Sequence, residues 1–260
     1  MRFWMYTLLG VILFIGLGFG CLAQAYDDDD DETFSDSVLL TKEMSGGFIL
    51  HSMGWGLEFR KGRNINANKL WLMEIDFSEM KSPKEIRVIN PYFSNAKSYI
   101  YGKLNNVYLI RAGYGRHRLL NSKPYWGGVA LRYFFSGGAS FGLAKPVYLN
   151  IINLVSISPQ YFEYELTTEK YNPEKHFRDN IYGRAAFVKG FNQMSFYPGI
   201  YGKFGFTFDF GPHDASIKTL EVGATLDLFP IPIPMMAYND PEYYFLTIYL
   251  SVNFGKRFNR

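Results

Sequence analysis

The side chains best suited to catalysis or metal binding in this chain are its four histidines, His51, His117, His176 and His213. Metal sites need two or three ligands that converge, and no two of these histidines are two or four residues apart. His51 precedes Ser52, but neighbours on a strand point to opposite faces, so this pair does not predict a catalytic dyad. The sequence therefore predicts no metal site.

If the chain forms a membrane barrel, as the strand pattern below predicts, a lipid-modifying or proteolytic site at its rim is an alternative. We expect His117 and His176 to lie on outward loops, where Glu163, Glu165 and Glu174 could serve as their partners. The chain carries neither a nucleophile motif nor a glycine-rich phosphate loop. We therefore expect no enzymatic activity, no catalytic residue and no cofactor.

A second chemical set consists of charged residues that recur at every second position between apolar ones. These are Glu58, Arg60, Glu74, Asp76, Arg111, Arg132, Lys203, Asp209, Glu221 and Asp227. Both signs are present, and every second residue of a strand faces the same way. If these strands enclose a space, the ten residues form a paired internal network, because isolated buried charges are costly.

Eight segments with this alternation supply the strands. They are 47–60, 69–80, 106–115, 125–136, 139–144, 200–210, 217–229 and 243–256. In the last segment one face carries only apolar residues, Tyr244, Leu246, Ile248, Leu250, Val252 and Phe254. In the first segment the corresponding face includes Ile49, His51 and Trp55. The doublet Gly137-Gly138 predicts a tight turn.

The composition favours lipid on the outside of these strands. The chain has 24 Phe and 20 Tyr, and its net charge of +3 is too small to indicate a nucleic-acid partner. A soluble sandwich also alternates, but long, aromatic, uncharged faces behind a secretory signal favour a membrane barrel. We predict an all-β fold, an antiparallel transmembrane β-barrel of eight strands, integral to the cell outer membrane.

Three regions follow from this pattern. Residues 1–25 predict a signal peptide that ends in Ala23-Gln24-Ala25, with an uncleaved anchor helix as the alternative. Cys21, the one cysteine, precedes that site, and its lipid modification is left open. We expect residues 26–45, which contain an acidic run at 27–32, to form a disordered tail. We expect residues 46–260 to form the barrel.

Alternation of the strands assigns the connections to the two sides of the membrane. We expect outward loops at 61–68, 116–124, 145–199 and 230–242, and periplasmic links at 81–105, 137–138 and 211–216. The long loop 145–199 is too apolar for disorder, so we expect either a partner-binding cap or a structural plug. Segment 81–105 packs under the barrel or contacts a periplasmic protein.

The segment 230–236 reads Pro-Ile-Pro-Ile-Pro-Met-Met, which predicts an extended polyproline-like rod. Such a rod would present Ile231, Ile233, Met235 and Met236 to a protein partner, or rest them against the membrane interface or the long loop. Because the rod is a loop rather than part of the sheet, we expect its deletion to spare folding.

The chain resembles the small outer-membrane β-barrel proteins of the Bacteroidota. The resemblance rests on the acidic tail after the Ala-x-Ala site, on residues 83–85, 101–105 and 143–148, and on a closing strand that ends near Phe258. Asn259-Arg260 depart from it, since many such barrels end on the aromatic residue. The resemblance implies an integral subunit of a surface machine, such as barrel assembly or type IX secretion, and transfers no functional residue.

We therefore expect a non-enzymatic anchor or scaffold in an envelope assembly. Its partners would be outer-membrane lipid and other outer-membrane or periplasmic proteins. The alternative is a narrow channel for ions or small solutes, although the lumen of an eight-stranded barrel is usually filled by side chains.

Overall fold

The computed structural model describes residues 40–66, 68–93, 95–123, 128–158, 161–211 and 215–259. The predicted signal peptide at 1–25, and the predicted acidic tail as far as residue 39, lie outside this part of the chain. The strands are β1 (Lys42–His51), β2 (Gly54–Asn66), β3 (Lys69–Met80), β4 (Arg87–Val88), β5 (Tyr99–Ile100), β6 (Asn105–Asn121), β7 (Ala130–Pro146), β8 (Tyr148–Ser158), β9 (Tyr161–Lys170), β10 (Ile181–Arg184), β11 (Ser195–Asp209), β12 (Ser216–Ile233) and β13 (Glu242–Phe258).

Eight of these strands close into a barrel in the order β1-β13-β12-β11-β7-β6-β3-β2. Every neighbouring pair is antiparallel, and β1 closes the ring by pairing with β13 from Lys42↔Phe258 to His51↔Tyr249. The predicted all-β barrel of eight antiparallel strands is confirmed. A barrel of this size has an interior that side chains can fill.

The alternation of the sequence sorts the side chains between the outside and the lumen. On β3, Trp71, Met73 and Ile75 are exposed on the outside, whereas Glu74 and Asp76 are buried inside. The same pattern recurs around the ring, so the outer surface is an apolar band and the interior is polar. Such a band is stable only against lipid, and closed barrels satisfy every backbone group there. The protein is thus an integral outer-membrane barrel.

The segment 47–60, expected to be one strand, is two strands joined at Ser52 and Met53. His51 pairs with Gly54 across this turn, so the two residues share a face. The outward positions therefore change from even numbers on β1 to odd numbers on β2. Ile49 and His51 face the lumen, and the prediction that they face outward is wrong.

The segments 125–136 and 139–144, expected to be two strands, form the single strand β7. Gly138 pairs with Gly113 on β6 and with Tyr201 on β11, so the glycine doublet lies within the sheet. A Cβ on Gly138 would lie 2.2 Å from the carbonyl oxygen of Ala112. The glycine doublet therefore allows neighbouring strands to approach closely and does not form a turn. The two errors compensate, which leaves the predicted number of strands correct.

The connections now divide between two ends of the barrel. The terminal end holds the first residue of β1, the last of β13 and the short connections 67–68, 122–129 and 210–215. The capped end holds 52–53, 81–104, 147–194 and 234–241. Because outer-membrane barrels have short periplasmic turns, we assign the terminal end to the periplasm. The structure contradicts the predicted distribution of the connections, because 61–68 and 116–124 lie at the opposite end from 145–199 and 230–242, and 81–105 lies at the same end as these two loops.

The connections at the capped end fold into a structure of their own, which we call the cap. Its elements are the three-stranded sheet β10-β8-β9, the two-stranded sheet β4-β5 and a 3-10 turn at Phe191–Gln193. A cluster of Tyr99, Leu149, Ile151, Tyr171 and Ile181 forms its core. Within the described ranges, no helix has the length and apolar character needed to cross a membrane.

Candidate functional site

The centre of the lumen is occupied by Arg60, whose guanidinium group binds three carboxylates. Arg60 on β2 donates to both carboxylate oxygens of Glu221 on β12, at 2.7 and 2.6 Å. It also donates to Glu58 at 2.8 Å. Glu74 lies 3.9 Å from its Nε. Since β1 and β13 separate β2 from β12 on the wall, this contact joins strands across the interior.

Lys203 on β11 forms a second contact across the lumen. Its Nζ donates to Asp76 on β3 at 2.6 Å and lies 3.7 Å from Glu58 and 3.8 Å from Glu74. Hydroxyl groups add hydrogen bonds to two of the lumen carboxylates: Tyr201 donates to Glu74 at 2.8 Å, and Tyr249 donates to Glu221 at 2.6 Å. Paired and hydrogen-bonded charges are the form in which ions are tolerated in an interior.

Nearer the capped end, Arg111 on β6 and Asp227 on β12 form a bidentate pair. Nε and Nη2 of Arg111 donate to the two carboxylate oxygens at 2.9 and 2.8 Å. Ser140 donates to the same carboxylate at 2.8 Å. The pair is fully buried, and β7 and β11 lie between its two strands.

At the terminal end a third group surrounds a small cavity of about 30 Å³. Arg257 donates to Asp209 at 2.6 Å and to Glu43 at 3.2 Å. Lys123 lies 3.5 Å from Asp209, and Arg132 lines the same cavity. A volume of this size accommodates a water molecule or two rather than a solute.

The structure thus places all ten predicted lumen residues inside the barrel, nine of them buried and Arg132 half-buried. Sequence reasoning missed Glu43 and Arg257, because the former was assigned to the tail and the latter follows the predicted end of the last strand. The alternation of Glu43, Met44 and Ser45 is the signal that could have extended β1. The arrangement fills the lumen and links opposite walls.

A hydrophobic layer fills the lumen between these charges and the capped end. It consists of Met80, Val107, Leu109, Ala144, Phe229, Ile233, Met235, Met236 and Phe245. The proline-rich segment supplies three of these residues, and Leu104 donates its backbone N–H to the carbonyl of Met235 at 2.9 Å. We call this layer the apolar seal.

The expected exposed rod at 230–236 is therefore wrong. Ile233, Met235 and Met236 are buried in the apolar seal, and β12 continues through Ile233. Of the four predicted partner-binding residues only Ile231 is exposed, with 54% of its surface accessible. Alternating prolines are compatible both with an extended chain at the end of a sheet and with a free rod. The segment is buried because Ile233, Met235 and Met236 pack against apolar side chains at the capped end of the lumen.

The histidines do not converge on one site. His117, expected on an outward loop, lies in β6 inside the lumen toward the terminal end, with its ring 5.0 Å from that of Phe134. His176 is buried in the cap at the other end. It accepts from the backbone N–H of Asn172 at 3.0 Å, so its Nε2 donates to Glu169 at 3.3 Å. His213 lies outside the described residues. Among the described residues no cluster suited to a metal ion occurs.

The outer surface of the cap carries an apolar ridge formed by Ile86, Ile89 and Tyr92. These side chains are 69%, 59% and 73% exposed. Asn90, between them, is buried and donates to the carbonyl of Ile181 at 2.8 Å. A salt bridge of 2.7 Å between Glu85 and Lys103 holds the other side of the ridge. The ridge is therefore fixed in place rather than a loose loop.

The cap also presents a sheet edge. β9 pairs with β8 and occupies the margin of the sheet β10-β8-β9, so within the described strands its second side is unpaired. Tyr164 and Leu166 are exposed on this strand, and Tyr164 contacts Phe93, next to the ridge, with ring centres 6.3 Å apart. Ridge and edge are thus neighbouring features of one surface.

No model of a protein family and no curated protein matches the sequence. Among solved structures, Neisserial surface protein A is 9% identical, with a TM-score of 0.38 over 84% of this chain and 96% of that one. Ail of Yersinia pestis in complex with the heparin analogue sucrose octasulfate is 9% identical, with a TM-score of 0.36 over 84% and 97%. Ail alone is 13% identical, with a TM-score of 0.35 over 84% and 99%. The fold assignment rests on the strand pairing and not on these likenesses.

Proposed function

We propose that the protein is a non-enzymatic anchor or scaffold subunit of an outer-membrane assembly, of the kind that performs barrel assembly or protein secretion. The observation that supports this role is the cap, a folded structure at one end of a filled barrel, in which hydrogen bonds and a salt bridge hold the segment that carries the apolar ridge. Large apolar side chains that are exposed close together in the sequence of a folded segment favour a contact site for another protein. The barrel supplies the membrane anchor, and the cap supplies the contact.

The edge strand β9 adds a second means of contact. An unpaired strand offers a row of backbone donors and acceptors to an extended segment of another chain. Glu165 and Glu169 are four residues apart on β9, an even separation, so their side chains are on the same face of the strand. A partner segment that pairs here would gain from basic side chains opposite these two residues.

The alternative, a narrow channel, is less well supported. Three charge pairs bridge the lumen, and the apolar seal lies above them. Passage of an ion or solute would require both the charge pairs and the apolar seal to open. The sequence resembles small outer-membrane barrels of the Bacteroidota, which often serve as subunits of surface machines, and this resemblance favours the scaffold role.

The test is purification of the tagged protein from its native envelope under gentle extraction, with quantitative identification of the proteins that accompany it. We expect a stoichiometric set of envelope proteins with the unmodified chain. The double variant Ile86→Ser/Ile89→Ser should lose that set while it retains the heat-modifiable migration of a folded barrel.

The matched control is Ile65→Ser/Leu120→Ser, which removes two apolar side chains at the terminal end that are also more than half exposed. This control should keep the complex. A monomer at every detergent strength with the unmodified chain, or equal loss in both variants, would contradict the proposal.

A further inference from the structure

Eight cationic side chains surround the terminal end of the barrel on its outer surface. They are Lys42, Lys61, Arg63, Lys69, Arg116, Arg118, Lys218 and Lys256, and all are exposed. They lie on β1, β2, β3, β6, β12 and β13, which are consecutive around the ring. We call this set the basic collar.

The basic collar continues the lipid-facing surface rather than the lumen. On β2 the outward positions run Leu57, Phe59, Lys61 and Arg63, with exposed side chains throughout. On β6 Tyr114 precedes Arg116 and Arg118 in the same way. The cations therefore lie at the terminal-end margin of the apolar band, where Ile65, Leu120 and Phe258 also remain exposed. We place this margin at the level of the headgroups of the adjoining leaflet.

Like charges stand directly opposite each other within the collar. Lys42 pairs with Arg63, and Lys69 pairs with Arg118. Side chains in such positions are about 5 Å apart at Cβ, and like charges there destabilise a sheet. On the described residues of the eight barrel strands, outward-facing carboxylates occur only near the capped end, on Glu79 and Glu242. Among the described barrel residues, no outward-facing carboxylate at the terminal end relieves this repulsion.

Two of the arginines are held in defined positions. The guanidinium group of Arg116 lies 4.4 Å from the ring centre of Trp71. Arg118 donates to the hydroxyl group of Tyr133 at 3.2 Å. Stacking leaves the edge donors of a guanidinium group directed outward, which suits the oxygens of a phosphate.

We propose that the basic collar binds the phosphate headgroups of anionic phospholipids in the periplasmic leaflet. Charge complementarity and direct continuity with the lipid-facing band both favour lipid over a soluble partner. The collar is incomplete, since the terminal-end outward positions of β7 and β11 carry Leu131, Tyr133, Phe206 and Phe208 instead of cations. Anionic lipid should therefore gather along one arc of the barrel.

The experiment titrates phosphatidylglycerol, and separately phosphatidylcholine, into the purified full-length protein in neutral detergent and counts bound lipids by native mass spectrometry. The unmodified protein should prefer phosphatidylglycerol. The variant Arg63→Gln/Lys69→Gln/Arg116→Gln/Arg118→Gln should lower its apparent affinity about tenfold or more, because each cation near an anionic surface adds to attraction.

A matched control replaces four exposed cations at the capped end, Lys84→Gln/Arg87→Gln/Lys170→Gln/Lys189→Gln. It should bind phosphatidylglycerol as the unmodified protein does. Should the collar variant fail to fold, Arg63→Lys/Arg116→Lys/Arg118→Lys keeps the charge and should retain the preference, and 0.5 M salt should weaken it in the unmodified protein.

Equal binding of the two lipids by the unmodified protein would overturn the proposal, as would an equal loss of binding in the capped-end control. Binding of an acidic periplasmic protein without any lipid preference would overturn it as well.

Discussion

Arg111 and Asp227 join opposite walls of the lumen through two parallel hydrogen bonds of 2.9 and 2.8 Å. Their strands are not neighbours, so the pair connects β6 and β12 directly through the interior. Arg60 with Glu221, and Lys203 with Asp76, do the same at other levels. These bridges hold the cross-section of the barrel as well as filling it.

Removing one partner of such a bridge should strongly destabilise the barrel. Arg111→Met leaves the carboxylate of Asp227 buried without its cation, and we expect the free energy of unfolding to fall by about 3–5 kcal/mol. Urea unfolding in lipid vesicles measures this change. The double variant Arg111→Met/Asp227→Leu, which buries no charge, should recover most of the loss; if it is no more stable than the single variant, the bridge is not the cause.

The filled lumen should not conduct. We expect the purified protein to produce no discrete conductance steps in a planar bilayer. Replacing residues 148–184 by a short Gly-Ser linker should leave the bilayer silent, because the charge bridges and the apolar seal lie in the barrel and not in the sheet β10-β8-β9. Steps that appear only after this replacement would show that the cap is the plug.

Ile231 and Ile233 lie two residues apart and should respond very differently to truncation. Ile233 is fully buried in the apolar seal, whereas Ile231 is 54% exposed. Ile233→Ala should lower the free energy of unfolding by about 2–5 kcal/mol, the range for buried large-to-small changes. Ile231→Ala, the matched control, should change it by less than about 1 kcal/mol. Deletion of 230–236 should impair folding rather than spare it.

The cap should lose stability in acid through Glu169. Hydrogen bonds from Thr167 and His176 hold the pKa of Glu169 below its ordinary value. A carboxylate with a lowered pKa stabilises the folded state above its ordinary pKa of about 4.3, and this contribution disappears as the pH falls toward the lowered value.

Limited proteolysis of the cap between pH 6 and pH 3 measures this effect. Because other carboxylates titrate in the same range, the informative quantity is the difference between the unmodified protein and Glu169→Gln. This difference should be largest at pH 6 and should shrink toward pH 3. A difference that does not depend on pH would assign the role of Glu169 to packing.

The alternation of apolar and polar residues was sufficient to predict most of the fold. It identified the outward residues of β3, β6, β11, β12 and β13 correctly, because one face of each strand contacts lipid and the other faces a charged interior. The failures occurred where alternation continues through a turn or where a turn motif lies within a strand. Ser52-Met53 contains no glycine or proline, so the sequence of these two residues does not indicate the first turn. Gly137-Gly138 resembles a turn motif, but it lies within β7, where small residues allow neighbouring strands to approach closely.

The candidate site was harder to foresee for a related reason. Which residues of the long connections are buried depends on contacts between segments far apart in the chain, such as Leu104 with Met235. The burial of Met235 and Met236 could not be read from a segment whose local pattern also fits an exposed rod. The charge pairs were foreseeable as a set but not as partners, since pairing depends on the strand order.

The closure of the ring by β1 and β13 sets the order in which the barrel can form. Every other barrel pairing joins barrel strands that follow each other along the chain once the cap strands β4, β5, β8, β9 and β10 are set aside. The pairing of β1 with β13 instead joins residues as far apart as Lys42 and Phe258. Contacts at such sequence separation form slowly, after the local hairpins. Until β13 has been synthesised and delivered, the sheet has two open edges that lipid cannot satisfy. We therefore expect insertion to await β13, and a product truncated before β13 should remain outside the membrane.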